Sequence, residues 1–255
     1  MVLFPKAIWK AYSQRELTMQ PEISRVTRSK LQAITAYDRL SRWYDWLSAS
    51  SEQPIAELGL KKLNANTGET VLEIGFGTGH ALLALATSVG DSGRVVGIDL
   101  SHGMFKVASE KITRTNLSQR VIFEQADAAA LPFGADFFDA IFISFTLELF
   151  DTPEIATVLL ECRRVLKPGG RIGVVALARD AHETIPVRIY EWFHQSLPVY
   201  VDCRPIYVQS SLLLAGFQIL DVTRKWMWGL PVEICLAKKP QIDVKSALAN
   251  GLSLE

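Results

Sequence analysis

Three glycines at alternate positions interrupt the apolar stretch VLEIGFGTGH, which covers residues 71–80. They are Gly75, Gly77 and Gly79, and they follow residues with a strong preference for strands. Glycine interrupts a strand where the backbone needs unusual dihedral angles, or where another molecule approaches it closely. A strand-to-helix turn needs glycine only for the dihedral angles, whereas a turn that binds a ligand also needs the close approach. The spacing G-x-G-x-G differs from the G-x-G-x-x-G/A of dinucleotide-binding turns, which disfavours a nicotinamide or flavin site.

Two aspartates stand where later apolar stretches end, Asp99 in VVGIDLS and Asp127 in QADAAALPF. The carboxylate of Asp99 can accept hydrogen bonds from both hydroxyls of a ribose, and the alternative is that it caps the following helix. Asp127 can accept from the exocyclic amine of a purine, and the alternative is that it caps its own loop. Together with the glycine turn, they give ligand-binding candidates at the ends of three successive strands, which favours a nucleoside-binding crevice.

Glu148 is a carboxylate in an otherwise apolar stretch, FTLELF, that follows the fourth predicted strand. In a substrate site it can deprotonate a phenol or hydroquinone, or attract an amine. The alternative is an ordinary solvent-facing residue at the start of a helix.

Short apolar runs alternate with amphipathic ones from residue 70 onward, which predicts strands and helices in turn. The predicted strands cover 71–74, 95–98, 121–124, 140–144 and 172–177, and the predicted helices 78–89, 104–115 and 153–166. Such repetition implies right-handed crossovers and a parallel sheet. Ligands in such sheets bind outside the carboxyl ends of the strands, where the candidate residues fall. The stretch Lys167-Pro168-Gly169-Gly170 is expected to end a helix and turn the chain.

The fold class that follows is α/β: a doubly wound, mostly parallel seven-stranded sheet with an antiparallel last strand and an N-terminal helical extension. Runs at 217–223 and 232–237, joined by a Trp-rich connection, predict the closing antiparallel pair. We divide the chain into a helical extension or lid (1–48), a ligand-binding domain (49–240) with a substrate-side insertion (178–204), and a tail (241–255).

Composition restricts the function classes. The chain has 255 residues and a formal net charge of zero, which argues against a nucleic-acid binder that relies on a general positive field. The cysteines and histidines show no paired ligand spacing, so no metal site is predicted. No apolar run is long enough to span a bilayer, and a reduced, cytoplasmic setting is expected. Residues 1–45 carry eight basic and four acidic side chains, which predicts either peripheral contact with an anionic membrane or a lid with a solvated basic face.

Five stretches of this chain, in order and at suitable spacing, resemble the motifs of class I S-adenosylmethionine-dependent methyltransferases. They are VLEIGFGTGH, VVGIDLS, DAAALPF, FDAIFISFTLELF and RRVLKPGGRIGVV. The stretch AYDRLSRWYDWL before the first strand resembles the ubiquinone/menaquinone C-methyltransferase branch. The resemblance implies S-adenosylmethionine as cofactor and S-adenosylhomocysteine as product.

The resemblance also implies roles for individual residues. The glycine turn packs against the methionine part of the cofactor, Glu73 orients its amino group, and Asp99 holds the ribose. The full set of implied cofactor residues is Glu73, Gly75, Gly77, Thr78, Gly79, Asp99, Leu100, Met104, Asp127, Ala128 and Ser144. Tyr44, in the N-terminal segment that folds over the cofactor, is implied beside the methyl-transfer site, with core packing as the alternative.

The chain departs from the quinone branch in one respect, because that branch carries Arg-Asn where this sequence has Glu148-Leu149. The expected function is methyl transfer to a small lipophilic or aromatic acceptor, with Glu148 and Tyr44 as catalytic candidates. Aromatic residues such as Trp192, Trp226 and Trp228 favour an apolar acceptor. The alternatives are an amine or phospholipid headgroup as acceptor, a non-catalytic binding module, and, less favoured, an NAD-dependent oxidoreductase.

Overall fold

The computed structural model describes residues 51–179 and 203–241, together with Val26, Gln32, Thr35 and Asp38. Outside the described residues lie Tyr44 and most of the predicted extension with its membrane contact. Residues 180–202 of the predicted insertion (178–204) and residues 242–255 of the predicted tail (241–255) also lie outside them. Gln32, Thr35 and Asp38 are helical. In the described part of the chain, no helix has the length and apolar character needed to cross a bilayer.

A seven-stranded sheet in the order β3-β2-β1-β4-β5-β7-β6 forms the centre of the molecule. Its strands are β1 (Thr70–Ile74), β2 (Arg94–Ile98), β3 (Val121–Glu124), β4 (Phe138–Ser144), β5 (Leu166–Leu177), β6 (Gln218–Met227) and β7 (Leu230–Lys238). Strands β1 to β5 pair in parallel, and β7 runs antiparallel to both of its neighbours. The predicted fold class, with its antiparallel last strand, is confirmed.

Helices cover the sheet on both faces, as the apolar strands require. They are α1 (Gln53–Leu63), α2 (His80–Ser88), α3 (His102–Thr113), α4 (Thr152–Val165) and α5 (Val208–Leu214). Two of them begin with side-chain caps at the carboxyl edge of the sheet. Ser101 Oγ accepts from Met104 N–H at the start of α3, and Asp151 accepts from Thr152 N–H at the start of α4. These caps satisfy backbone donors that the first helical turn leaves without partners.

The interior consists of two apolar clusters, one on each face of the sheet. Helix α1 packs very closely on one face at Gly59, where an added Cβ would lie 2.5 Å from Val175 Cγ2. The chain therefore uses glycine there for close helix–sheet packing.

The turn predicted at residues 167–170 is present. Helix α4 ends at Val165, and the pairing of β4 with β5 jumps from Phe138↔Leu166 to Ala140↔Arg171. Four residues therefore bulge out of the ladder, with Gly169 at a φ of 79°. Helix and strand follow each other directly because this bulge absorbs the change of direction.

Strands β6 and β7 form a hairpin whose loop is Trp228-Gly229, between the paired residues Met227 and Leu230. Both loop residues have positive φ, 52° and 80°, as tight hairpin loops require. The Trp226 and Trp228 side chains are 61% and 70% exposed, and neither lines the cleft described below. The alternative that these two residues pack in the core is wrong, and their part in favouring an apolar acceptor stays a prediction.

Candidate functional site

A cleft of about 250 Å³ opens at the carboxyl ends of β1, β2 and β4. It brings together nine of the eleven residues that the sequence indicated for a cofactor. They are Glu73, Gly75, Gly77, Thr78, Asp99, Leu100, Met104, Ala128 and Ser144. The cleft lies where ligands bind in open α/β sheets, outside the carboxyl ends of neighbouring parallel strands. Among the described residues, no group of three His, Cys, Asp or Glu side chains is placed to hold a metal ion.

The three glycines of the turn after β1 share a backbone conformation but differ in what surrounds them. All three have positive φ, at 71°, 51° and 82°. A Cβ on Gly75 would lie 2.3 Å from Thr146 Oγ1, and one on Gly79 would lie 3.0 Å from Ala108 Cβ. A Cβ on Gly77 would meet no atom within 4 Å, so its α-carbon faces open space in the cleft. Gly79 begins α2 and does not line the cleft.

Asp99 ties the glycine turn to the start of α3. Its Oδ2 accepts from Gly77 N–H at 3.0 Å and its Oδ1 from Ser101 N–H at 2.8 Å. Burial raises the pKa of the Asp99 carboxyl to about 6, although hydrogen bonds from three backbone N–H groups lower it, and Asp38 raises it further. The helix N-cap is Ser101, so the alternative in which Asp99 caps that helix is wrong.

Glu73 is a second buried carboxyl on the same wall, at 3% exposure. Burial, and then the charge of Asp99, raise the pKa of this group well above its usual range. Its Oε2 has no hydrogen-bond partner among the described residues. A buried acceptor without a donor is costly, and it is suited to a ligand that brings a donor such as an ammonium group.

The structure places Asp127 and Glu148 outside the wall of the cleft. Asp127 Oδ1 accepts from Ala129 N–H at 2.9 Å, which is the loop-capping geometry considered from the sequence. Glu148 is fully buried, and its Oε1 accepts from Leu177 N–H at 3.1 Å. The solvent-facing alternative for Glu148 is therefore wrong, and a direct part in catalysis stays a prediction that this position does not favour.

Sequence reasoning missed the part of the cleft wall that the segment after β4 supplies. Phe145, Thr146, Leu149, Phe150 and Asp151 line the cleft there. Phe145 has a φ of 49°, a conformation uncommon for a residue with a bulky side chain. The sequence offers no glycine or asparagine at this position that would have signalled it.

Two residues of the N-terminal segment contact the elements around the cleft, although no local sequence signal singled them out. Val26 lines the cleft and donates its N–H to Asp151 Oδ1 at 3.1 Å. Asp38 Oδ1 accepts from Ser101 Oγ at 2.6 Å and from Gly103 N–H at 2.8 Å. These bonds join the segment to the starts of α4 and α3, on either side of the cleft.

Comparison with known proteins gives a consistent result. A family model described as a methyltransferase domain matches residues 71–170. The demethylmenaquinone methyltransferase of Lactococcus lactis is 29% identical over 210 residues, which are 81% of this chain and 75% of that protein. The demethylmenaquinone methyltransferase of Anoxybacillus flavithermus is 34% identical over 170 residues, 64% of this chain and 70% of that protein. A third match, to the ubiquinone/menaquinone C-methyltransferase UbiE of Enterobacter sp., is 40% identical over 118 residues and covers 46% of each chain.

Solved structures share the fold. A SAM-dependent methyltransferase from Aquifex aeolicus has a TM-score of 0.55 at 25% identity and covers 72% of this chain and 89% of its own. The cyclase SpnF has a TM-score of 0.68 at 20% identity, with 87% of this chain and all of that chain covered. At that identity, the likeness to the cyclase concerns the fold alone.

Proposed function

Because this chain belongs to the class I S-adenosylmethionine-dependent methyltransferases, we propose that it methylates a small lipophilic or aromatic acceptor, quinone-like or lipid-like. Its cofactor is S-adenosylmethionine, and the product is S-adenosylhomocysteine. What this family membership leaves open is the acceptor, and the wall of the cleft after β4 supports an apolar one.

The residues of the cleft fit the cofactor, and one observation carries that fit. Glu73 Oε2 is buried without a donor in the described part of the chain, in the same cleft that the open face of Gly77 lines. We assign Glu73 to the amino group and Asp99 to the ribose hydroxyls, with Leu100 and Met104 beside the adenine. When bound, the cofactor supplies a methyl group that is already activated on a sulfonium.

The part left to the chain is to orient the acceptor and exclude water, and orientation alone contributes several kcal/mol to such reactions. Phe145, Leu149 and Phe150 line the cleft in the segment after β4, which contacts the glycine turn through Thr146. Their apolar surfaces suit a flat or isoprenoid acceptor better than a charged one. The relatives named above are menaquinone and ubiquinone methyltransferases, which supports a quinone-like acceptor here.

A second candidate, an acceptor that bears an amine, has one observation in its favour. Asp151 and Glu154 line the same side of the cleft at the start of α4. Two carboxyl groups there favour a cationic group on the acceptor. This candidate includes phospholipid headgroups that carry an amine.

Methyl transfer with labelled cofactor separates these candidates. The full chain is incubated with methyl-labelled S-adenosylmethionine and, in parallel, a demethylated naphthoquinol with a short isoprenoid chain, phosphatidylethanolamine vesicles or a simple aromatic amine. Label in the naphthoquinol supports the leading proposal, whereas label confined to the amines supports the second. Calorimetry with S-adenosylhomocysteine and with NAD is run beside it. Tight cofactor binding without turnover on any acceptor class would indicate a binding module.

Two further parts of the proposal concern residues outside those described. We propose Tyr44 beside the methyl-transfer site, and peripheral contact of residues 1–45 with an anionic membrane, where a lipophilic acceptor is found. Flotation with anionic vesicles at low and high salt tests the contact, with a variant that lacks residues 1–20 as control. Equal recovery of both proteins in the soluble fraction contradicts it.

A further inference from the structure

The wall of the cleft after β4 is a short segment, residues 145–151, which we call the acceptor loop. It leaves the sheet at Phe145, whose positive φ of 49° is strained for a residue other than glycine. Such strain persists only where the surrounding structure holds the backbone in place. The 3-10 turn Leu147–Leu149 follows, and Leu149 and Phe150 line the cleft. Contacts on the side of the loop that faces away from the cleft must therefore hold its backbone in this conformation.

Glu148 holds the middle of the acceptor loop. It is fully buried, it does not line the cleft, and its Oε1 accepts from Leu177 N–H at 3.1 Å. Leu177 is the last residue of β5, so this bond joins the loop to the end of the neighbouring strand. A hydrogen bond is electrostatically stronger in a buried site than in water, so this one fixes the position of the turn.

Arg204 holds the end of the acceptor loop. It is also fully buried, and its Nη2 donates to the carbonyl oxygen of Phe150 at 2.6 Å. The segment around it is itself tied to β5, because Ile206 N–H donates to the Leu177 carbonyl at 3.0 Å. Two buried side chains of opposite charge thus attach the loop to one place, the end of β5.

We propose that Glu148 and Arg204 are positioning residues for methyl transfer, and that they act by holding the acceptor loop in its strained conformation. In this assignment Glu148 accepts no proton from the acceptor, because the turn points its carboxylate at the backbone of β5 and not into the cleft. The assignment rests on the proposed function in one respect, namely that the loop is the wall that the acceptor contacts. Loss of either anchor loosens that wall and leaves the glycine turn and Asp99 in place.

The conservative substitution Glu148→Gln distinguishes positioning from proton transfer. A glutamine keeps an oxygen that accepts from Leu177 N–H but is no general base. We expect its kcat within about threefold of the parent and an unchanged pH–rate profile, whereas Glu148→Ala raises the acceptor KM about tenfold or more with little change in cofactor affinity. A fall in kcat of about a hundredfold in Glu148→Gln, with loss of one limb of the pH profile, would overturn the assignment in favour of a base.

Glu233→Ala is the matched control for the loss of a buried carboxylate. Glu233 is 3% exposed and accepts from Arg224 and Gln209, outside the cleft. We expect this variant to lose stability and to keep the acceptor KM of the parent. Equal increases in KM for Glu148→Ala and Glu233→Ala would show that the effect is general loosening, and would reject the positioning role.

Hydrogen exchange gives a readout that needs no acceptor. In Glu148→Ala and Arg204→Lys, peptides covering 145–151 and the end of β5 are expected to exchange about tenfold faster than in the parent, and in Glu233→Ala they are not. If the loop loosens in this way but no acceptor is methylated by the parent, the proposed acceptor class fails and the anchoring stands. Unchanged exchange in a folded Glu148→Ala rejects the anchoring itself. If Glu148→Ala does not fold, Arg204→Lys provides the test. Unchanged loop exchange and an unchanged acceptor KM in Arg204→Lys would reject the anchoring.

Discussion

Replacement of Asp99 by alanine tests the assignment of the ribose site most directly. In the proposed complex the carboxylate accepts from two ribose hydroxyls, and each hydrogen bond to a charged group contributes about 1.5–3 kcal/mol. The same carboxylate orders the cleft, since it accepts from Gly77 N–H and Ser101 N–H. Taking the lower value for each hydroxyl, we expect a loss of about 3 kcal/mol, or roughly a hundredfold in the Kd for S-adenosylhomocysteine. Asp99→Asn keeps one acceptor oxygen and is expected to lose about tenfold.

The pH dependence of binding gives the same experiment a second readout. The pKa of Asp99 is about 6 in the free protein, mainly because the group is buried. Donation by two hydroxyls favours the ionised form, so binding lowers this pKa and releases a proton below pH 6. Affinity therefore falls as the pH drops below 6, by up to about tenfold per pH unit, and Asp99→Asn lacks this contribution. Asp99→Asn also removes the charge that helps to raise the pKa of Glu73, so its pH profile reports the loss of both contributions.

Isothermal calorimetry with S-adenosylhomocysteine between pH 5 and pH 8 measures both effects. Asp139→Asn is the matched control, because Asp139 accepts from Thr70 N–H at 2.9 Å and does not line the cleft. We expect the control to bind within about twofold of the parent. Parental affinity in a folded Asp99→Ala, or identical pH profiles for the parent and Asp99→Asn, refutes the ribose assignment.

Three further predictions follow from single contacts. Gly77→Val fills the open face of the turn, so calorimetry should detect no cofactor binding. Gly134 also faces open space, and Gly134→Val should bind the cofactor normally. Cofactor binding by Gly77→Val contradicts the assignment. Asp38→Ala removes both bonds to the start of α3, so the Kd for S-adenosylhomocysteine should rise about threefold to tenfold, and an unchanged Kd argues against that role. Gly59→Ala sets a Cβ 2.5 Å from Val175 Cγ2, so urea titrations should show a free energy of unfolding lower by about 1–3 kcal/mol. A variant as stable as the parent contradicts this close packing.

The sequence predicted the fold and one half of the cleft, because both depend on local chemistry. Alternation of apolar runs requires a covered parallel sheet, and glycines after a strand require positive φ or close approach. The sequence therefore predicts that Gly77 and Asp99 lie in a common crevice. At the carboxyl edge of the sheet, Gly77 N and Asp99 Oδ2 lie 3.0 Å apart.

The other half of the cleft escaped prediction because tertiary contacts determine it. Phe145 carries no sequence signal of its positive φ, and Glu148 looked like a group that faces substrate or solvent. The direction of Glu148 depends on the end of β5, and the end of the same loop is held by Arg204, which lies more than fifty residues further along the chain. Trp226 and Trp228 are expected from the sequence to favour an apolar acceptor, but Trp226 lies near the end of β6, Trp228 lies in the hairpin loop, and both are exposed. Side-chain direction after a turn is a property of the whole fold.

The position of β7 between β5 and β6 leaves one edge of the sheet unpaired while the chain is still being synthesised. Until Leu230–Lys238 is synthesised, β5 has an unpaired edge along residues 171–177, which is apolar from Ile172 onward and able to pair with another chain. Once β7 is in place, the outer strand is β6, whose side chains are mostly exposed and include Asp221, Arg224 and Lys225. The other outer strand, β3, has four residues. The finished sheet thus ends in a polar strand and a short one, and the aggregation-prone edge exists only in chains that stop before the final strand.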